Sequence, residues 1–332
     1  MTIRMKNLLV VSFGLTFAPA LCLGQAGRAE LFGTIRDPAD LAVPNAKVGA
    51  EDQATTVRYA TISNESGEYH ILGLPPGQYV LTVEQPGFRT YRQSGITLRL
   101  AERTSLEVKL EVGQPSQSIE VKAAAPLLQT ASSEVSLNMD EKKIYALPLD
   151  GRNFIPLVTL SPGVALPNGQ FLPRINGSRP RTNEYIYDGI SVLQPEPGQV
   201  VYYPIIDGMA EFKLNVNAYS PEYGRSNGGT VMVIGRSGSN DFHGSLFEFF
   251  RNEALNARNL FAQPGPKPEF RRNQYGLTIG GPIQKNKLFF FADWQGTRLL
   301  TGLTRFSVVP TLAQRKGVFK QPIFDPKHSL QR

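Results

Sequence analysis

The sequence predicts a mainly β protein of several domains, and three observations lead to that fold class. The chain has 332 residues, enough for two or three domains of ordinary size. Aromatic residues make up 10% of it, and 31 glycines and 25 prolines supply many turns. Runs that alternate apolar and polar residues recur between those turns, which is typical of half-buried strands. We therefore expect short strands and tight turns rather than a helical bundle.

The first 26 residues have the composition of a secretory signal peptide. Arg4 and Lys6 form a basic start, Leu8 to Phe17 is a short apolar run, and small residues follow. That run is too short to span a membrane as a helix. The single cysteine, Cys22, lies in this leader, so we expect no disulfide in the exported chain. No later stretch predicts a spanning helix, so insertion into a membrane would require a β-barrel.

Residues 27–113 predict a small β-sandwich. Candidate strands occupy 31–35, 46–50, 57–62, 68–72, 79–83, 96–100 and 106–110. Turn residues separate these strands, and apolar side chains alternate with polar ones within them. Period-two alternation at this spacing predicts antiparallel sheets with one solvated face each.

Five motifs in this segment resemble a carboxypeptidase-regulatory-like domain. They are GTIRD at 33–37, VPNAKV at 43–48, NESGEY at 64–69, LPPGQY at 74–79 and PGF at 86–88. The resemblance implies a transthyretin-like sandwich, which is an accessory module and does not specify a function. Tyr59, Tyr69 and Tyr79 would either form a sugar-stacking surface or pack as core aromatics.

Residues 116–238 predict a small α+β domain. Asp140 is placed to cap a short helix that Pro148 ends, and 153–160 predicts a second short helix. The run 230–234 is almost continuously apolar between glycines, which is typical of a strand covered on both faces. A short strand at 119–121 would lead into this domain.

Residues 239–332 show the pattern of membrane β-barrel strands. In the stretch 273–280, Tyr275, Leu277 and Ile279 alternate with small or polar residues, and 287–294 is dense in phenylalanine. Outward apolar side chains alternating with small or polar inward ones characterise such strands. We expect these residues to begin a transmembrane barrel.

Further motifs resemble a TonB-dependent outer-membrane receptor of the Oar-like branch, which carries an N-terminal carboxypeptidase-regulatory-like domain. They include SPGV at 161–164, NGSR at 176–179, YIYDG at 185–189, YSPEYGRS at 219–226, SGSN at 237–240, FHGSLFEF at 242–249 and NQYG at 273–276. The resemblance implies a plug at 116–238 and the start of a barrel at 239–332. Such barrels have about 22 strands, whereas the residues after Ser239 suffice for roughly four. We therefore expect an N-terminal fragment of a longer receptor.

The resemblance also implies a function and partners. The receptor would transport an unidentified substrate (a glycan, a peptide or a metal chelate) across the outer membrane, with membrane lipid and the TonB complex as partners. Its N-terminal domains would be periplasmic. Candidates for plug residues near a substrate path are Asn176, Arg179, Arg181, Tyr185, Tyr187 and Asp188. The segment 118–121 is a poor candidate for the TonB box and equally predicts a plain edge strand.

Other functional classes find little support in the sequence. The net charge is +7, but 35 basic residues are spread among 28 acidic ones, so nucleic-acid binding is not expected. The three histidines are far apart and no catalytic motif occurs, so we expect no enzyme, cofactor or metal site. The alternative hypothesis is a secreted or periplasmic carbohydrate-binding or adhesion protein built on the sandwich. Sugar binding by residues 27–113 would discriminate it from the receptor.

Overall fold

The computed structural model describes residues 27–114, 118–122, 134–217, 222–258, 260, 265, 267–302 and 308–320. The predicted signal peptide lies outside these residues. The described chain is mainly β, which confirms the predicted fold class. Across the described ranges, no helix is long and apolar enough to cross a membrane. The chain divides into one unit built from 1–246 with 276–295 and a second built from 247–275 with 296–332.

The N-terminal module is a β-sandwich. Its described strands are β1 Ala29–Arg36, β2 Lys47–Asp52, β3 Arg58–Ile62, β4 Glu68–Leu74, β5 Gly77–Glu84, β6 Thr90–Leu98, β7 Arg103–Ser105, β8 Val108–Lys109 and β9 Ser118–Lys122. One sheet has the order β3-β2-β5-β6-β9, and the other joins β4, β1 and β7, with β8 also beside β1. Alternate residues of both sheets, among them Leu31, Leu81 and Ile96, fill the core between them.

The sandwich differs from the prediction in its strand pairing. Strand β1 pairs in parallel with β7 and β8, so the sheets are mixed rather than wholly antiparallel. Strand β9 pairs in parallel with β6 and is the edge strand of its sheet, which agrees with the edge-strand alternative for 118–121; its partner β6 was not predicted. Local alternation predicts that a segment is a strand, but it does not specify which distant strand will be its partner.

The α+β module follows. Its elements are β10 Val135–Asp140, helix α1 Glu141–Ala146, strands β11 Val164–Ala165, β12 Arg174–Ile175, β13 Glu184–Tyr187, β14 Ile190–Ser191, β15 Met209–Asn217 and β16 Thr230–Gly235, and 3-10 segments at Asp150–Arg152, Ile155–Leu160 and Ile206–Gly208. The main sheet has the order β10-β15-β16-β13-β14. Strand β16 pairs in parallel with β13 and antiparallel with β15, and its centre is buried as predicted.

The helical elements of this module follow from local chemistry. The Asp140 side chain accepts a hydrogen bond from the Lys143 amide at 2.9 Å, which confirms the predicted cap of α1. The second predicted helix is a 3-10 segment, with Pro156 near its start where no amide donor is needed. It buries Leu157 and Val158, and the preceding Phe154 packs edge-on against Phe212 of β15, with ring centroids 5.7 Å apart.

Three long strands follow: β17 His243–Asn252, β18 Phe270–Gln284 and β19 Leu288–Thr301, paired in that order, with a short helix α2 at Leu312–Arg315. In β18, Tyr275, Leu277 and Ile279 are 41%, 42% and 45% exposed, whereas Gln274 and Thr278 are buried. The apolar residues therefore face outward and the polar ones inward, as predicted. The described strands do not close into a barrel.

The link from β16 to β17 passes close to the β-sheet of these long strands. Gly238 lies in this link, and a Cβ at that position would overlap the backbone oxygens of Phe290 and Gly281. A glycine is needed there because only its bare backbone fits against the neighbouring strands. The link therefore runs tightly against β18 and β19.

Candidate functional site

An open cavity of about 430 Å³ lies between the α+β module and β19. The lining residues come from the ends of β13 and β16, from the segment before β15, and from β19: Tyr187, Asp188, Tyr202, Gly208, Gly235, Arg236, Phe291, Ala292 and Asp293. The cavity thus combines aromatic rings with carboxylates and one guanidinium. Such a mixed lining suits a polar contact surface between two structural elements.

Asp188 and Tyr187 are held in place at the end of β13. Asp188 has a positive φ of 46°, and its carboxylate accepts a hydrogen bond from the Gly235 amide at 2.8 Å. Burial raises the pKa of this carboxyl, although the Gly235 amide opposes the shift. The Tyr187 ring lies 5.1 Å from that of Tyr202. Burial, and then the nearby Asp188 carboxylate, raises the pKa of Tyr187.

Arg236 connects three elements at the cavity. Its guanidinium donates to the Glu141 carboxylate of α1 at 3.0 Å and lies 5.8 Å from the Phe291 ring centroid. Its amide donates to the Gly208 carbonyl at 2.7 Å. A Cβ at Gly208 would overlap the Asp293 carboxylate of β19. The cavity wall is therefore a close contact between the α+β module and β19.

A buried ion pair lies next to this contact. Arg152 pairs with Asp207, and their side chains are only 9% and 4% exposed. The Tyr145 hydroxyl donates to the same carboxylate at 2.8 Å. Burial, followed by the hydrogen bond to Asp207, raises the pKa of Tyr145. The pair joins the 3-10 segment at Asp150–Arg152 to the one that precedes β15.

The structure separates the six predicted substrate-path residues. Tyr187 and Asp188 meet at the cavity. Asn176 has a positive φ of 50°, and its amide group donates to the carbonyls of Val216 and Gly228, so it joins β12 to β15 and the turn before β16. The remaining three lie outside the cavity lining: Arg179 and Arg181 are exposed, and Tyr185 is buried. The roles of all six in a substrate path stay predictions.

The three sandwich tyrosines lie against the core. Tyr69 and Tyr79 are 1% and 0% exposed, and their hydroxyls donate to the carbonyls of Leu106 and Pro75 at 2.8 Å. Tyr59 is half-buried, with its ring 6.4 Å from that of Tyr79. Neither Tyr69 nor Tyr79 presents an open ring face, and their contacts are those of core aromatics. Sugar stacking by this group stays a prediction.

Sequence reasoning missed several residues of the cavity. Tyr202, Arg236 and Asp293 were not among the predicted site residues, although all three line it. The adjacent tyrosines at 202 and 203, in a segment rich in proline and glycine, were the one available signal. Asp293 carried none, because a single acidic residue on an amphipathic strand is ordinary.

The fold defines a class of protein: a chain with an N-terminal accessory sandwich, an α+β module and strands of the outer-membrane β-barrel type. Two family models match the chain, the outer membrane beta barrel domain at residues 234–331 and the carboxypeptidase regulatory-like domain at 30–111. The TonB-dependent transporter Oar of Myxococcus xanthus is 31% identical over 320 residues. The chain belongs to the TonB-dependent outer-membrane receptor family, in its Oar-like branch. We call the α+β module the plug from here on.

The matches differ in how much they cover. The alignment with Oar includes 87% of this chain but 30% of Oar, so the chain spans less than a third of that relative. The siderophore receptors PirA of Acinetobacter baumannii and of Pseudomonas aeruginosa are 19% and 18% identical. Those two matches cover 49% and 50% of this chain and 24% and 29% of the receptors, with TM-scores of 0.38 and 0.36. The Oar relative is a transporter rather than an enzyme.

Proposed function

We propose that this chain is the N-terminal part of a TonB-dependent receptor that transports a substrate across the outer membrane. The alternation in β18 carries the proposal, because Leu277 and Ile279 expose large apolar side chains while Thr278 between them is buried. A soluble sheet would bury the apolar set, whereas a barrel wall presents it to lipid. On the inward face, the Thr278 hydroxyl hydrogen-bonds that of Ser245 at 2.9 Å.

The proposed organisation follows the chain. Residues 1–26 are an export signal, 27–113 the sandwich, 116–238 the plug and 239–332 the first part of the barrel. Transport would depend on the TonB complex acting on the plug from the periplasm. A glycan, a peptide or a metal chelate is the proposed class of substrate, and the protein itself catalyses no reaction.

A contact between the sandwich and a barrel turn supports a periplasmic sandwich. The turn that joins β18 to β19 is short, and short turns lie on the periplasmic side of outer-membrane barrels. The hydroxyl of Thr56, in the sandwich, donates to the Asn286 side chain of that turn at 2.8 Å. This contact supports a sandwich on the periplasmic side, from which TonB would act.

Fractionation of the full-length gene product tests the proposal, with paired variants at one lipid-facing position. Leu277→Arg should lower recovery in the outer membrane, because a charge in the middle of the lipid-facing band costs about 2–4 kcal/mol. Leu277→Phe keeps the side chain apolar and should leave recovery unchanged. A wild-type product found wholly in the soluble fraction, or equal recovery of the two variants, would contradict a membrane barrel.

A further inference from the structure

The sandwich and the plug share a buried interface. Glu211 of β15 reaches across it, and its carboxylate accepts a hydrogen bond from the Leu100 amide of the sandwich at 2.7 Å. Glu211 is only 7% exposed. A backbone amide bound to a buried carboxyl oxygen is a strong contact, because neither the donor nor the acceptor has access to competing water.

A second side chain of the same strand strengthens the contact. Lys213 donates to the Ala101 carbonyl at 2.9 Å and pairs with Glu134 at 3.1 Å, and its side chain is 3% exposed. Two residues on the same face of β15 thus hold consecutive backbone groups of the sandwich. Directional bonds to two neighbouring groups fix orientation as well as distance.

Apolar packing completes this interface. Leu100 of the sandwich, 2% exposed, forms a cluster with Tyr223 and Met232 of the plug, which are 6% and 1% exposed. A leucine side chain contributes roughly 1.5–3 kcal/mol when it is fully buried. The interface therefore combines an apolar centre with polar bonds whose groups are themselves buried, as in a permanent contact rather than a passing one.

The sandwich also contacts the barrel turn and the link before β17, through the turn between β2 and β3. This turn lies at the same end of the five-stranded sheet as Leu100, because Gln53 and Thr97 both lie beside Gln78. The Ala54 carbonyl accepts a hydrogen bond from the Asn240 amide at 3.0 Å. Asn286 accepts bonds at 2.8 Å from Thr56 and from the side chain of Asn240, and its amide donates to Asn240 at 2.8 Å. The sandwich is thus bonded both to a central plug strand and to the first barrel turn.

We propose that the sandwich is a latch, which binds both the plug sheet and the first barrel turn and has to release one of these two contacts before the plug can move. Because the plug sheet and the barrel turn bind the same folded module, strain at one contact reaches the other through a rigid body. The latch rests on the proposed function only for its role in transport. The docking itself is a property of the folded chain and can be measured without a substrate.

The charged groups around Glu211 affect how strongly the sandwich binds the plug at the Glu211–Leu100 contact. Burial raises the pKa of Glu211 to about 7, whereas the Leu100 amide, Arg99 and Lys213 lower it and Glu102 raises it further. A neutral glutamine at 211 keeps an oxygen acceptor for the Leu100 amide, while alanine removes it. The Gln and Ala variants therefore separate loss of charge from loss of the bond.

Amide hydrogen exchange of the full-length receptor in detergent tests the latch at both contacts. In Glu211→Ala, exchange at the Leu100 amide should accelerate roughly 10- to 100-fold, because its bond to a buried acceptor is lost. Exchange at the Asn240 amide, which donates to Ala54 at the second contact, should accelerate several-fold. In Glu211→Gln both amides should stay protected. The Ala46 amide, bonded inside the sandwich to Ser63, reports whether the module stays folded.

A second variant keeps the test decisive if Glu211→Ala unfolds the sandwich. Asn286→Gly removes the two bonds that the Asn286 side chain accepts from Thr56 and Asn240, and glycine tolerates the positive φ of 62° at that position. It should accelerate exchange at Asn240 and, through the latch, at Leu100. Independent exchange of the Leu100 and Asn240 amides in either folded variant would overturn the latch. So would a wild-type Leu100 amide that exchanges as fast as an exposed one. Neither result would bear on outer-membrane location, which fractionation measures separately.

Discussion

Removing one member of the buried Arg152–Asp207 pair should destabilise the plug strongly. In Arg152→Met, the Asp207 carboxylate remains buried and still accepts a hydrogen bond from the Tyr145 hydroxyl. Breaking a buried pair in this way costs about 3–5 kcal/mol, because a charge is left in a poorly solvating interior. Methionine fills most of the arginine's volume, so little of that cost comes from a cavity.

The matched control removes the other charge as well. In the double variant Arg152→Met/Asp207→Leu no buried charge remains, and apolar replacement of a whole buried pair is often neutral. We therefore expect the double variant to recover most of the lost stability. The two single changes should show a coupling of about 3 kcal/mol, in the upper range for residues in direct contact.

Amide exchange of β15 provides the assay, since that strand follows directly after Asp207. A loss of 3–5 kcal/mol should accelerate exchange of its most protected amides by roughly two to four orders of magnitude, at 1.36 kcal/mol per factor of ten. An Arg152→Met variant within about 1 kcal/mol of wild type would refute this reasoning. A double variant as unstable as the sum of the two single ones would do the same.

Two further predictions concern Glu211 and the plug tyrosines. Docked Glu211 has a pKa of about 7, above its ordinary 4.5, so the docked state keeps a proton that the undocked state releases. Docking should be firmest below pH 4.5 and weaken up to about pH 7, and Leu100 exchange, corrected for its intrinsic pH dependence, should accelerate by up to about a hundredfold. The Tyr185 hydroxyl is buried without a hydrogen-bond partner among the described residues, whereas Tyr187 is bonded to Tyr202. In thermal unfolding of the solubilised receptor, Tyr185→Phe should therefore be neutral or stabilising by about 1 kcal/mol, and Tyr187→Phe should cost about 1 kcal/mol; the reverse order would contradict the bonding pattern.

The elements that the sequence predicted well depend on neighbouring residues. Asp140 caps α1 through an amide three residues on, and β18 alternates because adjacent side chains point to opposite faces. Both patterns are complete within a short window. The helix at 155–160 is a 3-10 helix, and the local pattern did not predict that type. Leu157 and Val158 of this segment are buried by tertiary packing, which no short window of sequence shows.

The parts that the sequence did not reveal depend on distant residues. The parallel pairing of β9 with β6 and the Arg152–Asp207 pair join segments that no periodicity connects. The cavity is a similar case: Tyr187 and Asp188 could be singled out from a motif, but Asp293 reaches it only because β19 packs there. Tyr69 and Tyr79 were candidates for sugar stacking, but both are buried in the core. An aromatic residue on an alternating strand has the same sequence pattern in a core as on a binding face.

The short link between β16 and β17 limits how far the plug can travel. At about 3.5 Å per residue, the chain from Gly235 to His243 spans no more than about 28 Å when fully stretched. Since β16 is the middle strand of its sheet, the centre of the plug stays tethered to the barrel wall however hard the N-terminal side is pulled. Strand β10 lies at the edge of that sheet, where the chain enters it, and pairs only with β15 among the described strands. Under the proposed function, a pull on the N-terminal side would therefore act on the sheet first at β10, while the link holds β16 in place.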